Sequence, residues 1–175
     1  MTEPEITVRP LKKADCEQVR ELFRSTYLAY GEGGGPGLAR GVAEYVEQSL
    51  AEDLADPFTH YMSGPRTCFF VAESSGEFAG MLGIDHWEGD GAIAHLRRVA
   101  VRQDFRRRGI GRRLMRHAEA WAAAHGYRSM RFYTVELLTE AIAMYESLGY
   151  RLVAKHDFGP VMGRESEKPL EAHRA

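Results

Sequence analysis

The sequence predicts an α/β or α+β fold in which a mixed β-sheet is flanked by helices. Two observations indicate this fold class. Runs rich in β-branched and aromatic residues alternate with amphipathic segments of helical period, in the order β-α-α-β-β-β-α-β-α-β. The chain has 175 residues, of which 44% are hydrophobic. It is therefore long enough for one domain with a sizeable core and too short for two ordinary domains.

The predicted elements are bounded by glycine, proline or polar turn residues. Strands are predicted at residues 6–8, 67–73, 78–85, 92–101, 129–135 and 150–155. Helices are predicted from Asp15 to near Gly31, across Val42 and Leu50 to a point before Pro57, and at residues 109–125 and 139–148. The run GEGGGPG after the first helix is predicted to be a mobile loop. The tail from Arg164 is too polar to assign.

Composition excludes several classes of protein. The hydrophobic fraction, together with 27% charged residues, is close to the globular average, which excludes disordered, collagen-like and membrane proteins. The N-terminus has no apolar signal-peptide core, so a cytoplasmic protein is expected. Cys16 and Cys68 are too few for a disulfide framework, and no metal-site spacing is present, so no metal is expected. The formal net charge of −2 favours neither nucleic acid nor membranes as partners.

Charge is concentrated between a predicted strand and the helix that follows it. Residues 97–116 contain nine arginines and a single acid, Asp104. Gly109 and Gly111 allow a tight turn there, and the first amides of a helix have no acceptor within the helix. Such a helix end binds phosphate oxygens, so the sequence predicts a site for a ligand with several phosphates.

The two common nucleotide loops do not match this segment. A Walker A loop needs Gly-Lys-Ser/Thr, but Arg112 and Arg113 follow the second glycine. A dinucleotide-binding turn needs a third glycine, and Leu114 stands there. A solvated helix face or a nucleic-acid contact remains an alternative explanation of the arginines.

The segment VAVRQDFRRRGIGRRLMRHAEAWAAAHGY resembles the acetyl-CoA-binding core of the GNAT superfamily of N-acyltransferases. The family signature Arg/Gln-x-x-Gly-x-Gly/Ala is matched by Arg106, Gly109 and Gly111. The next segment, LLTEAIAMYESLGYRLV, is similar to the following family motif, with the matching residues Ala141, Tyr145, Gly149 and Tyr150. The resemblance is best from about residue 92 to residue 153.

The resemblance implies one domain over residues 1–175, with the cofactor-binding core at 92–153 and a sheet that is splayed at its centre. Acetyl-CoA would be the co-substrate, with its pantetheine arm in the gap and its pyrophosphate on the turn amides. The implied cofactor-binding residues are Val99, Ala100, Val101, Arg106, Arg107, Arg108, Gly109, Ile110, Gly111 and Arg112. The family often has an asparagine where Leu138 stands, so Thr134 or Thr139 is a candidate to replace it.

Direct transfer of acetyl to an amine calls for a base and for an acid that protonates the leaving thiolate. Tyr145 occupies the family position of the acid, although a core role on its helix would explain it as well. His95 is the first candidate base and is expected, by strand period, to face the same side as Val99 and Val101. A half-exposed structural histidine is the alternative, and Glu136 is the second candidate base.

The expected function is therefore N-acetylation of a primary amine of a small molecule or peptide. The alternatives are a non-catalytic acyl-CoA sensor and an arginine-rich nucleic-acid-binding module on the same fold. The acceptor pocket is expected from the first two helices, the glycine run and the hairpin at 85–90. A set of acidic residues in and around the second helix suggests a cationic acceptor, or simply a solvated helix face: Glu32, Glu44, Glu47, Glu52, Asp53 and Asp56. No nucleic acid or membrane partner is expected, and homodimer formation is left open.

Overall fold

The computed structural model describes residues 5–171. Its strands are β1 (Ile6–Pro10), β2 (Cys68–Ser74), β3 (Glu77–Trp87), β4 (Asp90–Val101), β5 (Ser129–Val135), β6 (Arg151–Asp157) and β7 (Met162–Pro169). Its helices are α1 (Cys16–Tyr30), α2 (Gly35–Ala51), α3 (Pro57–Met62), α4 (Ile110–Ala124) and α5 (Thr139–Ser147). The ends of the predicted domain, residues 1–4 and 172–175, lie outside the described residues.

The seven strands form a mixed sheet in the order β1-β2-β3-β4-β5-β7-β6. The only parallel neighbours among the described strands are β4 and β5, and they pair only where Ile93–His95 lies beside Ser129–Arg131. Beyond His95 the two strands separate. The predicted mixed sheet with a central splay is confirmed, and the gap exposes backbone edges of both strands.

A bulge in β4 changes which residues share a face. Ala100 pairs with Met81 and Arg97 with Gly83, so Leu82 faces two residues, and Arg98 adopts a left-handed φ of +59°. Before the bulge, His95 lies opposite Asp85, which approaches Arg97 on the same face. After it, Val99 and Val101 pack on the other face, against the core under α4. The predicted common face of His95 with these valines is therefore wrong.

The core lies on both faces of the sheet. On one face, α4 buries Leu114, Met115 and Ala118 in a cluster with strand residues such as Leu82 and Ile84. On the other face, α1, α2 and α3 contribute Phe23, Val46 and Tyr61 to a second cluster with Phe69, Val71 and Met81. Burial of these apolar side chains is the main term that fixes the helices on the sheet.

The glycine run GEGGGPG, predicted to be a mobile loop, is not a loop throughout, because its last three residues, 35–37, belong to α2. Gly33 and Gly35 take positive φ values of 82° and 84°, which complete the turn after α1. Pro36 then stands in the first turn of α2, where its missing N–H needs no acceptor. The short helix α3, which begins at Pro57, was not predicted.

The strand β7 was not predicted, because its sequence MGRESEKP lacks an apolar pattern. Its charges are instead paired with charges of neighbouring elements. Arg131 of β5 binds Glu165 at 2.9 Å and Glu167 at 2.6 Å, and Lys168 binds Glu119 of α4 at 2.7 Å. Because the partners lie far away in sequence, local pattern could not show that this polar segment belongs inside the sheet.

Candidate active site

A cavity of about 1050 Å³ opens where β4 and β5 separate. It is lined by the two diverging strands, the start of α4, α5, the end of α1, the first half of α2 and the turn between β6 and β7. Small-molecule sites usually measure roughly 300–1,000 Å³. The cavity therefore has room for one long ligand together with a second, smaller one.

The turn between β4 and α4 presents backbone amides at one end of this cavity. Arg107 and Gly109 adopt left-handed φ values of 61° and 77°. The first hydrogen bond of α4 runs from the N–H of Arg113 to the carbonyl of Gly109, at 3.0 Å. The three residues between them therefore have no acceptor for their N–H groups within the helix. These amides and the positive end of the helix dipole are suited to an anion, and we call this turn the anion-binding turn for that reason.

The arginines around the turn divide into two groups. Arg106, Arg107 and Arg112 line the cavity, and Arg112 also donates a hydrogen bond to the Ser147 hydroxyl at 2.7 Å. The guanidinium of Arg108 instead lies 5.0 Å from the ring centre of Phe105. Three of the four arginines predicted to bind the cofactor therefore line the cavity.

The segment Val99, Ala100 and Val101 lines the cavity along the unpaired edge of β4. The side chains of Val99 and Val101 pack on one face of the sheet, and Ala100 is buried on the opposite face. Because strand side chains stand away from the plane of the sheet, the main chain of this segment is what meets the gap.

Tyr145 is brought to the cavity by α5. Its ring is buried and packs against Phe132 and Tyr150, with ring centres 4.5 and 6.2 Å away. Burial raises the pKa of its hydroxyl above the usual value, so the phenol keeps its proton at neutral pH. The ring of Tyr145 therefore packs in the core, and Tyr145 is also one of the residues that line the cavity.

His95 lines the cavity at the point where β4 and β5 separate. Its ring packs against Trp87 and Tyr133, with centre distances of 4.8 and 6.0 Å. Burial, and after it the positive charge of Arg97, lowers the pKa of His95 to about 4. The imidazole is therefore neutral at pH 7 and offers one nitrogen as a hydrogen-bond acceptor.

We expect His95 to titrate near pH 4 in the folded protein, well below the usual histidine value of about 6.5. The stabilisation that comes with this lowered pKa is fully present above pH about 6.5 and is lost as the pH falls through about 4. Histidine NMR shifts recorded against pH measure the midpoint. Arg97→Gln is the informative variant, because loss of the positive charge should raise the pKa of His95. A wild-type midpoint near 6.5 would contradict this environment.

Glu136 lies outside the lining of the cavity described above. Its carboxylate forms an ion pair with Lys155 at 2.6 Å, and its N–H donates to the carbonyl of Met162 at 3.0 Å. Of the two candidate bases, His95 alone is brought to the gap beside the cofactor segment.

Leu138, which occupies the position of the family asparagine, lines the cavity together with Thr134 and Thr139. Both candidate replacements are therefore within the site. Thr139 begins α5 and Thr134 lies near the end of β5, so the two residues belong to different elements of the lining.

The remaining wall consists mainly of aromatic and aliphatic side chains. The turn between β6 and β7 contributes Phe158, Pro160 and Val161 to it, which sequence reasoning missed because the second strand of this hairpin was not recognised. The hairpin at 85–90, which was expected to form the acceptor pocket, does not line the cavity. Asp85 in that hairpin instead binds His60 at 2.9 Å and approaches Arg97 at 3.7 Å.

Within residues 5–171, no group of three or more histidine, cysteine, aspartate or glutamate side chains is arranged to hold a metal ion. No helix in the same range has the length and apolar character needed to cross a bilayer.

Comparison with known proteins agrees with this geometry. Residues 17–150 match the acetyltransferase (GNAT) family. N-acetylaspartate synthetase from Homo sapiens is 33% identical over 116 residues, which are 66% of this chain and 38% of that protein. The chain thus matches less than half the length of that relative.

Solved structures show the same fold. A GCN5-related N-acetyltransferase from Kribbella flavida has a TM-score of 0.71 and 26% identity, with 94% of this chain and 98% of that chain covered. PaiA N-acetyltransferase from Thermoplasma acidophilum, solved in complex with coenzyme A, has a TM-score of 0.73 and 19% identity, with coverage of 94% and 99%. On the match over residues 17–150, the chain belongs to the GNAT family of acetyltransferases.

Proposed function

We propose that this protein transfers the acetyl group of acetyl-CoA to a primary amine by direct attack, without an acyl-enzyme. The observation that carries the proposal is the continuity of the cavity. It runs from the free amides and arginines at the start of α4, along the unpaired edge of β4, to Tyr145 and His95. Family membership supports it, as does the coenzyme A complex of a protein with the same fold. We further propose that a single domain carries the activity.

In this proposal, the diphosphate of acetyl-CoA binds the backbone amides of Arg107, Arg108, Gly109, Ile110 and Gly111. Arg106 and Arg112 add positive charge beside it. The pantetheine arm lies in the gap, where main-chain groups from Val99 to Val101 hydrogen-bond it. The thioester then reaches the end of the gap where β4 and β5 meet.

His95 and Tyr145 handle the protons. An alkylammonium with a pKa near 10.4 is deprotonated in only about one molecule in two thousand at pH 7, so proton removal from the acceptor limits attack. The ammonium first gives one proton to water. The neutral amine nitrogen then forms a bond to the thioester carbon, and the second proton that it loses passes through the neutral imidazole of His95 to water. The carbon–sulfur bond breaks, and the Tyr145 hydroxyl gives its proton to the leaving sulfur. Exchange with water restores both side chains.

The proposal is tested by two measurements on the wild-type protein. Acetyl-CoA should raise the melting temperature, because a ligand that binds only the folded state stabilises it. Amines should then release free thiol, with an increase of one acetyl group in the mass of the acceptor. If acetyl-CoA leaves the melting temperature unchanged and no amine releases thiol, the proposal is wrong. A shift without thiol release from any amine would indicate the acyl-CoA sensor instead.

Tyr145→Phe is the matched variant for the chemistry. It keeps the ring packed on Phe132 but removes the proton donor, so turnover should fall by a factor on the order of 10²–10⁴. The thermal shift with acetyl-CoA should stay at its wild-type value. Full turnover in this variant would exclude Tyr145 as the acid.

A further inference from the structure

We propose that the acceptor is a monoamine whose remainder is aromatic or aliphatic and carries no charge, with an arylalkylamine as its type. This inference rests on the proposed function and adds the chemical class of the second substrate. It is drawn from the side chains and charges of the part of the cavity that the cofactor segments leave free.

Beside the segments assigned to the cofactor, the cavity is lined by aromatic side chains from α1, α2, β5 and the turn between β6 and β7. The wall is formed by Tyr27, Tyr30, Tyr45, Tyr133, Phe158 and Pro160. Tyr45, Tyr133 and Phe158 are 47%, 46% and 48% exposed. Burying an aromatic side chain removes roughly 150–250 Å² of surface from water. These three rings are only half buried, so an apolar ligand that covers them would gain favourable free energy from the burial.

One of these rings, Tyr133, lies beside the proposed base, and Phe158 lies next to Tyr133. The ring centre of Tyr133 is 6.0 Å from that of His95 and 6.4 Å from that of Phe158. An acceptor ring placed on Tyr133 and Phe158 would therefore hold a short alkylamine arm close to the imidazole. This spacing favours an amine separated from its ring by a few carbon atoms.

The wall offers no partner for a second positive charge. Among the described residues that line the cavity, Glu140 is the only acid, and it lies 3.7 Å from Arg107 at the opposite, arginine-rich end. Asp53 and Asp85 do not line the cavity, and both are paired with Arg97. A polyamine would therefore bring an unpaired ammonium into an apolar wall, which is unfavourable.

The wall is equally poor in free positive charge. Arg97 lies 3.4 Å from Asp53 and 3.7 Å from Asp85, and Arg98 is buried against Asp53. These two arginines are thus balanced by two carboxylates, and the remaining arginines of the lining stand at the anion-binding turn. An acceptor with carboxylates of its own would leave them without partners beside the rings. The acidic residues of α2 that suggested a cationic acceptor do not line the cavity.

The test compares three amines under identical conditions: 2-phenylethylamine, spermidine and L-aspartate. We expect kcat/KM for 2-phenylethylamine to exceed both others by at least about tenfold, since one aromatic contact alone is worth up to about tenfold. Calorimetry with the CoA-bound protein should detect binding of 2-phenylethylamine independently of turnover. Phe158→Ala should raise KM for 2-phenylethylamine by about tenfold and leave the acetyl-CoA thermal shift unchanged. Val153→Ala, an equally exposed apolar residue of β6 outside the cavity lining, is the control and should change neither.

The outcomes separate this inference from the proposed function. Thiol release that is as fast or faster with spermidine or L-aspartate overturns the inference and leaves the acetyltransferase proposal standing. A thermal shift with acetyl-CoA but no turnover of 2-phenylethylamine also overturns the inference. If acetyl-CoA produces no thermal shift in the wild-type protein and no amine releases thiol, both the proposed function and the inference are wrong.

Discussion

Asp53→Ala is expected to lower the free energy of unfolding by about 3–5 kcal/mol, because it leaves a buried guanidinium without its counter-charge. The side chains of Asp53 and Arg98 are both 2% exposed, and the Arg98 Nε–H donates to the Asp53 carboxylate at 3.0 Å. The Tyr61 hydroxyl also donates to Asp53. Urea unfolding measures the change.

The carboxylate of Asp53 also makes this stability depend on pH. Burial is the largest single influence and would raise the pKa of Asp53, but the hydrogen bonds and charge of Arg98, together with Tyr61 and Arg97, outweigh it and hold the pKa below its usual value. The contribution is therefore present above pH about 4, the unfolded value, and is lost as the pH falls below it. Glu44→Ala, an exposed change on the preceding helix α2, should alter stability by no more than about 0.5 kcal/mol. Equal stability of the two variants would show that the buried pair adds nothing.

Gly109→Val is expected to weaken acetyl-CoA binding by about a hundredfold. A Cβ at this position meets no protein atom within 4 Å, so the new side chain would extend into the space that the ligand needs. The left-handed φ of 77° is also strained for a β-branched residue. A hundredfold loss corresponds to one or two charge-assisted hydrogen bonds from backbone amides. Isothermal titration with CoA measures it.

Gly126→Val provides the matched control for this variant. Gly126 has a φ of 84° and open space at its Cβ, and it lies past the far end of α4, outside the cavity lining. The two variants should therefore lose similar stability, while only Gly109→Val loses affinity. Equal CoA affinity in both would show that the turn does not hold the diphosphate.

The sequence predicted most strongly those parts of the site that are continuous in the chain. The turn at Gly109, the amphipathic helix after it and Tyr145 on α5 all come from local motifs, and the structure places them around one cavity. What the sequence did not predict depends on distant partners. The strand β7 is held by ion pairs to β5 and α4, so Phe158 and its neighbours, on the turn before β7, could not be assigned to the wall.

The bulge in β4 is a second limit of local reasoning. Alternation along the strand predicted one face for His95 and Val99, but the left-handed residue Arg98 reverses it. The residue at the bulge binds Asp53, more than 40 residues earlier in the chain, which a local pattern cannot show. A shift of one residue therefore separates the side of the sheet that carries the candidate base from the side that packs under α4.

The short junction between β4 and β5 gives the sheet a mechanical property. The sheet has two parts, strands β1–β4 and strands β5–β7, which pair with each other at one end through three residue pairs. Each part has its own continuous hydrogen bonding, so the opening between them interrupts no ladder within either part. The core under α4 spans both parts and holds the opening at a fixed width, with His95 at its closed end.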